Sequence, residues 1–255
     1  MDQAKVAEEL LGAYASGVAV APPTEVYGLA LDDAYGVQLA QVERWRAEGR
    51  TVQGHKVGLT SAAMRAQLGV DQPDYGHLMD SMFHLERQPI GTSRFLQPKI
   101  EPEIAFVLKR PLRGPGVNAA EAMAAVDFVV PALEIIDSRI RDWKITLADT
   151  IADNASSGGV VLGSRPVRLG DVDLANTPCV LRRNGAEAGS GVGGAVLGTP
   201  LNALVWLANT VPVELAAGHV VLPGSITAAV PVTPGDTFTA EFAGLGDVTA
   251  IFGEA

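Results

Sequence analysis

Glu101 and Glu103 stand two residues apart in the apolar segment KIEPEIAF at residues 99–106. Side chains at positions i and i+2 of a strand point to the same face, so both carboxylates would lie on one side of a sheet. Buried carboxylates repel each other and lose their hydration, and a bound cation is the simplest way to keep both ionised. The alternative is a solvated strand edge, which Pro102 favours because proline cannot donate a hydrogen bond to a neighbouring strand. The pair alone leaves both interpretations open.

Glu134 is a third acid in an unusual setting. It lies within residues 129–136, VVPALEII, which are otherwise apolar. An acid in such a run must be paired or must bind something, because an isolated buried charge is very unfavourable. Three oxygen donors without a cysteine or histidine cluster suit a hard divalent ion, Mg²⁺ or Mn²⁺, which keeps part of its water shell for exchange with substrate oxygens. Zn²⁺ fits this ligand set poorly.

Lys56 is a candidate for proton transfer. It stands in GHKVGLT at residues 54–60, between an apolar stretch and a glycine turn. Burial there would lower its pKa toward the range of a general acid or base. The alternative is a lysine whose ammonium reaches solvent along its aliphatic stem. The adjacent His55 would point to the opposite face of the strand, so we interpret it as structural.

Two polar segments follow the acids in sequence. Residues 137–139, DSR, come directly after the apolar run, and residues 149–158, DTIADNASSG, precede another apolar segment. Such residues cap helices and complete turns, or they contact a substrate, and the sequence leaves both roles open. Residues 189–194, GSGVGG, lack the Lys-Ser/Thr ending of a phosphate-binding loop, so nucleotide binding is not expected.

The composition excludes several classes of protein. The chain has 255 residues, of which 47% are hydrophobic and 19% charged, as in a globular protein built as one large domain. A formal charge of −10 makes nucleic acid and anionic membranes poor partners. The single cysteine, Cys179, cannot form an intrachain disulfide and is expected in the core. No export signal or membrane span is predicted, and we expect a cytoplasmic protein.

The spacing of apolar residues predicts an α+β fold in two regions. Residues 1–50 form an N-terminal helical subregion, with one helix ending near Gly17 and another over Leu31–Glu48. Residues 51–255 form a β-dominated second domain with a mixed or antiparallel sheet, because strands and helices do not alternate regularly. The predicted strands of this domain include Ile104–Leu108, Phe128–Ile136, Val160–Leu162, Cys179–Arg182, His219–Leu222 and Phe238–Phe242. Its predicted helices are Ser61–Leu68, Ala119–Val126 and Leu201–Asn209.

Long blocks of the sequence resemble the family of 2-keto-4-pentenoate hydratases and 4-oxalocrotonate decarboxylases, enzymes of aromatic meta-cleavage catabolism in the fumarylacetoacetate hydrolase superfamily. They follow the family order and cover most of residues 30–252. The blocks are GHKVGLTSAAMRAQLGVDQPDYGHLMDSM (54–82), PKIEPEIAFVLKRPLRGPG (98–116), PALEIIDSRIRDWKITLADTIADNASSGG (131–159), GTPLNALVWLANT (198–210), AGHVVLPGSITAAVPVTPGDTF (217–238) and GLGDV (244–248).

The resemblance implies a mixed β-sheet roll of the fumarylacetoacetate hydrolase C-terminal type, with a small N-terminal helical region. It carries the metal ligands onto Glu101, Glu103 and Glu134, and the catalytic residues onto Lys56 and Asp80. The positions implied to bind substrate are Asp74, Tyr75, Ser156, Ser157 and Thr227.

The resemblance implies a lyase and is compatible with two reactions, hydration and decarboxylation. Asp74 and Tyr75 are similar to the hydratase branch, in which water adds to 2-hydroxypenta-2,4-dienoate, or a close homologue, to give a 4-hydroxy-2-oxo acid. Residues 224–232, GSITAAVPV, are closer to the decarboxylases, which act on 2-oxo-3-hexenedioate. A non-catalytic partner subunit is the third alternative, disfavoured because the acids and the lysine are all present. A homo-oligomer is expected, as is the option of a complex with a sister hydratase or decarboxylase.

Overall fold

Two mixed β-sheets with helices around them are formed by residues 1–62, 65–66 and 69–253, which the computed structural model describes. The helices are α1 (Gln3–Ser16), α2 (Pro23–Tyr27), α3 (Leu31–Ala47), α4 (Ala119–Ala125), α5 (Leu147–Ala152) and α6 (Pro200–Thr210). The strands are β1 (Val52–Gly58), β2 (Asp74–Met79), β3 (Phe83–His84), β4 (Pro89–Gly91), β5 (Lys99–Leu108), β6 (Val126–Ile136), β7 (Ser157–Leu162), β8 (Pro178–Arg183), β9 (Ala186–Val192), β10 (Val220–Leu222), β11 (Val230–Pro231), β12 (Thr237–Phe242) and β13 (Gly246–Gly253).

The first sheet carries the candidate site. Its strand order is β2-β1-β10-β5-β6-β7-β3, with β11 added beside β5. Strands β1 and β10 pair in parallel, whereas β5 and β6 pair antiparallel over ten residues of β5, from Lys99 to Leu108. Both long strands are buried along most of their length, as expected of near-continuous apolar runs that are covered on both faces. The mixed sheet confirms the predicted fold class.

The main hydrophobic core lies between the first sheet and the second, whose order is β4-β13-β12-β8-β9. Phe106 and Leu133 from the first sheet join the same buried cluster as Phe238 and Val248 from the second, and helices α4 and α6 contribute to it. The opposite face of the first sheet carries smaller side chains and packs near Trp45 of α3. The first sheet is therefore held rigidly from both sides, which suits a platform for catalytic side chains.

Helices α1 and α3 pack on each other and on α5, and share a buried cluster of aliphatic side chains with it. From α3, the side-chain amide of Gln38 donates to the carbonyl oxygens of Tyr75 and Ile151, both at 2.9 Å. The N-terminal helices are thus bonded directly to the strand and the helix that border the candidate site. Helix α1 ends at Gly17, which has a left-handed φ of 68°, as the sequence predicts.

Most predicted elements are confirmed, with one exception in β5. The edge-strand interpretation of Pro102 is wrong, because β5 lies between β6 on one side and β10 and β11 on the other. Strand β10 pairs with residues 106–107 of β5 and β11 with residues 99–100, so a gap separates them beside Pro102. A loop crosses this gap, and the amide of Ile226 donates to the Pro102 carbonyl at 3.0 Å. Neither β10 nor β11 pairs with residue 102, so the amide hydrogen that proline lacks is not needed for pairing on that side.

One predicted helix, Ser61–Leu68, includes residues 63, 64, 67 and 68, which lie outside the described residues. Within the described part of the chain, no helix has the length and apolar character needed to cross a bilayer. Cys179 is buried in the main core, as predicted.

Candidate active site

Three glutamates converge on one face of the first sheet. Glu101 in β5 pairs directly with Glu134 in β6, and Glu103 follows two residues along β5 on the same face. One carboxylate oxygen from each lies within 4.8 Å of the others. Glu103 is 0% and Glu134 1% exposed. The structure therefore brings together the three acids that the sequence singled out.

The electrostatics of this triad require a compensating charge. Burial raises the pKa of all three carboxyls, and the charge of Glu134 raises those of Glu101 and Glu103 further. The pKa of Glu101 reaches about 7. Three carboxylates this close can be ionised together only if a positive charge lies among them. One such charge, from Lys56, is present, and it does not balance three.

The donor atoms fit a divalent cation. Glu103 Oε1 and both carboxylate oxygens of Glu134 are buried, and none of the described residues forms a hydrogen bond to them. Unpartnered buried polar atoms are rare in native proteins, and oxygens that serve as ligands to an ion are one of the places where they occur. The remaining oxygen of Glu103 accepts a hydrogen bond from the Gly224 amide at 2.7 Å, which helps to fix the orientation of the Glu103 carboxylate. A set made only of oxygens suits a hard cation.

Lys56 lies in the middle of β1 and projects toward the triad. Its Nζ is 3.2 Å from Glu134 Oε1, an ion-pair distance without hydrogen-bond alignment, and it donates to the Ala155 carbonyl at 2.9 Å. The side chain is buried, so the solvent-reaching alternative does not apply. Burial lowers the pKa of Lys56, but the carboxylates of Glu134, Asp74 and the rest of the triad outweigh it and raise the pKa above its ordinary value. The predicted lowering is wrong, because the sequence showed the burial but not the surrounding acids.

Asp74 faces the same side of the sheet as Lys56. It pairs with Gly58 of β1, two residues from the Lys56–Gly76 pair. A Cβ at Gly58 would lie 2.1 Å from Asp74 Oδ1, so only glycine leaves room for this carboxylate. Asp74 is 2% exposed, and within the described part of the chain its Oδ1 accepts no hydrogen bond. Burial raises the pKa of Asp74 and the Lys56 charge partly offsets that rise.

Residues 154–157 form the wall beside Lys56. Ser156 and Ser157 are both buried; the Ser156 hydroxyl lies 3.4 Å from that of Thr150, and the Ser157 hydroxyl donates to the Asn154 carbonyl. A Cβ at Gly76 would lie 2.4 Å from the Asn154 oxygen, so glycine allows this segment to rest directly on the sheet. The predicted Ser156 and Ser157 thus lie next to the lysine.

Asp80 and Tyr75 are not brought to this group, and Thr227 lies in a loop beside it. Asp80 is exposed after the end of β2, and its carboxylate accepts from the amide and hydroxyl of Thr51. Tyr75 points to the face opposite Asp74, where its ring stacks on Tyr35 at 4.5 Å, because neighbouring residues of a strand alternate. Thr227 lies in the loop that Gly224 anchors to Glu103, and its hydroxyl donates to the Ala228 carbonyl.

Three of the four histidines group together on the face of the first sheet opposite Lys56. His55 pairs with His77 on the face opposite Lys56, as predicted for His55, with ring centroids 4.8 Å apart. His219 is 6.0 Å from His55. The sequence spacing gave no sign of this grouping, which arises from cross-strand pairing. Burial lowers the pKa of His55 and His77, to about 4 for His77, so both are neutral packing groups near pH 7.

A cleft of about 640 Å³ opens elsewhere, between α1, α3 and the segment after β2. Leu11, Trp45, Arg50 and Arg94 are among its lining residues, and none of the carboxylates of the triad is. The carboxylates of the triad therefore do not open into this cleft, although Gly158, next to the wall of residues 154–157, lines it.

The fold and site agree with the comparisons to known proteins. The sequence model of the fumarylacetoacetate hydrolase C-terminal family matches residues 54–252, and the chain belongs to this family. It is 48% identical over 255 residues to the TodF product hydratase of Pseudomonas putida F1, covering 98% of this chain and 95% of that protein. It is 44% identical over 252 residues to a 2-keto-4-pentenoate hydratase of Paraburkholderia xenovorans, covering 97% and 94%.

A solved structure is similar over nearly its whole length. The 4-oxalocrotonate decarboxylase from Pseudomonas putida G7, complexed with magnesium and adipate, matches with a TM-score of 0.94 at 39% identity. The match covers 98% of this chain and 97% of that one. The family resemblance and the prediction of an enzyme are confirmed.

Proposed function

We propose that the protein is a metal-dependent hydratase of aromatic meta-cleavage catabolism. It adds water to 2-hydroxypenta-2,4-dienoate, or a close homologue, to give a 4-hydroxy-2-oxo acid. The observation that carries this proposal is the convergence of three buried carboxylates, with unpartnered oxygens, beside a buried lysine. Relatives that are 44% and 48% identical over nearly the whole chain are named hydratases, which supports the reaction.

Glu101, Glu103 and Glu134 would hold the ion, Mg²⁺ or Mn²⁺, through oxygens alone. When bound, such an ion supplies Lewis-acid stabilisation of negative charge on the 2-oxygen of an α-keto acid. Mg²⁺ is favoured because the decarboxylase with the matching fold is complexed with magnesium and with adipate, a carboxylate.

Lys56 and Asp74 would move the protons. Lys56 Nζ, held as an ammonium by the surrounding carboxylates, donates a proton to C5 of the dienol, and the proton of the 2-hydroxyl then passes to Nζ, which restores the ammonium. The resulting conjugated ketone withdraws electrons from C4, where water adds. Asp74 takes a proton from that water and delivers it to C3, which completes the product and returns Asp74 to its carboxylate form. Its unpartnered Oδ1, and a pKa that burial raises above the ordinary value, suit a group that accepts and releases a proton during the reaction.

Asp74 replaces Asp80 in this proposal as the acid near the substrate. The sequence resemblance carried that role onto Asp80, which is exposed and bonded to Thr51. Asp74 is buried and shares the face of Lys56. A carboxylate that is buried without a hydrogen-bond partner on one oxygen is typical of a functional group.

Decarboxylation of 2-oxo-3-hexenedioate is the second candidate, supported by the 0.94 TM-score to the decarboxylase structure. Its substrate carries two carboxylates, and the buried Asp74 beside the site would repel the second one. This charge balance favours the hydratase. A non-catalytic subunit is disfavoured because the triad and Lys56 are assembled for chemistry.

The two reactions are separated by one assay. The protein with Mg²⁺ is given freshly generated 2-hydroxypenta-2,4-dienoate or 2-oxo-3-hexenedioate, and loss of dienoate absorbance and release of CO₂ are followed separately. We expect absorbance loss with the first substrate, a 4-hydroxy-2-oxo acid as product, and little CO₂ from the second. Faster release of CO₂ than hydration would contradict the proposal and establish the second candidate.

The division at residue 50, the homo-oligomer, a complex with a sister enzyme and the cytoplasmic location stay predictions. Sedimentation of the purified protein, alone and with a sister decarboxylase, tests the two assembly predictions.

A further inference from the structure

Three consecutive residues beside the candidate site have an unfavourable backbone conformation. Asn154, Ala155 and Ser156 have φ values of 52°, 50° and 54°, and none of them is glycine. L-residues adopt this left-handed region singly and at a cost, so a run of three requires strong external contacts. The middle residue supplies the carbonyl that accepts from Lys56 Nζ. The strained segment therefore helps to fix the position of Lys56 Nζ.

Arg139 supplies contacts on both sides of this segment. Its guanidinium is 0% exposed. It donates to the carbonyl of Asp153, immediately before the segment, and to the carbonyl of Ser157, immediately after it, the latter at 2.8 Å. The Asp153 carboxylate accepts from the Arg139 side chain and from its backbone amide. We refer to these contacts of Arg139 with Asp153 and Ser157 as the Arg139 bridge.

The N-terminal helix α1 completes the surroundings of the bridge. The ring of Tyr14 lies 4.5 Å from the guanidinium carbon of Arg139, and its hydroxyl donates weakly to the Ser157 carbonyl at 3.4 Å. The aromatic ring restricts the plane of the guanidinium, which fixes the direction of its donors.

We propose that Arg139, together with Asp153, is a positioning residue for the reaction. The bridge holds residues 154–156 in their left-handed conformation, the Ala155 carbonyl holds Lys56 Nζ, and Lys56 is thereby set against Glu134 and Asp74. The proposal rests on the proposed hydratase function. A buried ion pair kept only for stability gains little over apolar packing, whereas this one directs its donors to the two ends of the strained segment.

Arg139→Lys tests the bridge directly. Lysine keeps the positive charge beside Asp153 but lacks the planar fork, which in Arg139 reaches the carbonyls of Asp137, Asp153 and Ser157. We expect kcat to fall by about 100-fold, the effect of displacing a reacting group by about 1 Å. The KM and the Mg²⁺ affinity should change little, because the triad is untouched. The matched control is Arg182→Lys, at an exposed ion pair with Glu241 on the second sheet, which should leave kcat unchanged.

A second variant separates positioning from general loss of structure. Glycine adopts left-handed φ without strain, so Ala155→Gly in the Arg139→Lys background should restore at least about a tenfold part of the lost kcat. If Arg139→Lys does not fold, Tyr14→Phe, which removes one contact to Ser157, should show a smaller kcat loss at unchanged KM. Full kcat in Arg139→Lys, or in Tyr14→Phe where that variant replaces it, would overturn the proposal. So would a loss that Ala155→Gly does not relieve.

Hydrogen exchange distinguishes failure of this inference from failure of the proposed function. Amides of residues 153–158 should exchange faster in Arg139→Lys than in the wild type, while those of β12 and β13 stay equally protected. Equal protection of residues 153–158 in both proteins would overturn the bridge, whatever the activity. If the wild type hydrates no dienoate, but residues 153–158 exchange faster in Arg139→Lys than in the wild type, the hydratase proposal alone is contradicted.

Discussion

Asp74 and the three glutamates of the triad surround the buried ammonium of Lys56 and hold its proton in place. Burial alone would lower the pKa of this lysine, and the four acids outweigh that effect. Asp80 and Asp74 are six positions apart in the same block of sequence, and only Asp74 enters the site. The identities of the triad could be predicted, because acids in apolar runs are conspicuous.

The roles of Asp74 and Asp80 are separated by paired substitutions. Asp74→Asn keeps the shape of the side chain but removes its ability to accept a proton, so we expect kcat to fall by about 100-fold or more, as for loss of a general base. Asp80→Asn is the matched control and should keep nearly full activity, because Asp80 is exposed. Steady-state kinetics on the dienoate checks both. A large fall of kcat in Asp80→Asn, with little change in Asp74→Asn, would show that Asp80 is the acid that accepts the proton.

Lys56→Met should separate metal binding from proton transfer. The three glutamates remain, so Mn²⁺ binding, followed by electron paramagnetic resonance, should persist. Turnover should fall by about 100-fold or more, the typical contribution of a general acid. The exposed Lys109→Met serves as the control. Undiminished catalysis in Lys56→Met would exclude the lysine as the proton carrier.

Strands and helices place these side chains through register, which sequence patterns leave undetermined. The period of two predicted that Glu101 and Glu103 share a face, and the structure agrees. The alignment of Glu101 with Glu134 depends on how β5 and β6 pair, and a slip of one residue would move Glu134 to the other face. The pairing of Gly58 with Asp74, and the gap beside Pro102, likewise follow from tertiary contacts that no local pattern encodes.

Gly76→Ala probes the contact between β2 and the strained segment. The added methyl would meet the Asn154 carbonyl at 2.4 Å and the Ser157 hydroxyl at 2.7 Å. We expect the free energy of unfolding to fall by about 1–3 kcal/mol, the range for overpacking, together with reduced kcat. Gly12→Ala, in α1 with nothing within 4 Å, is the control and should not destabilise the fold. Denaturant unfolding measures both, and equal stabilities would show that the segment does not rest on β2.

At the scale of the whole molecule, the buried acids of the site make the stability of the fold depend on pH. Without metal, a carboxyl whose folded pKa is raised stabilises the fold fully below its unfolded pKa, and that stability is lost as pH rises through the folded value. For Glu101 this loss falls between its ordinary pKa of 4.5 and about 7. A bound cation favours the ionised form and reverses the trend. The N-terminal helices contribute to the stability of the site, since the side chains of Gln38 and Tyr14 donate hydrogen bonds to the segments around it.

The stability gained from metal should therefore grow with pH. We expect the Tm increase on adding Mg²⁺ to be larger at pH 8 than at pH 5.5, because at the lower pH protons compete with the ion for Glu101. Thermal melts with Mg²⁺ and with a chelator, at both pH values, measure the difference. An increase that is the same at both would show that Glu101 does not exchange a proton for the metal.

Titration of the metal-free protein with Mn²⁺ tests the central claim most directly. The wild type should bind one ion per chain, whereas Glu103→Gln should bind at least about tenfold more weakly, lose nearly all turnover and keep its circular dichroism spectrum. Wild-type affinity and full activity in Glu103→Gln would contradict the claim that these three carboxylates hold the ion on which the reaction depends.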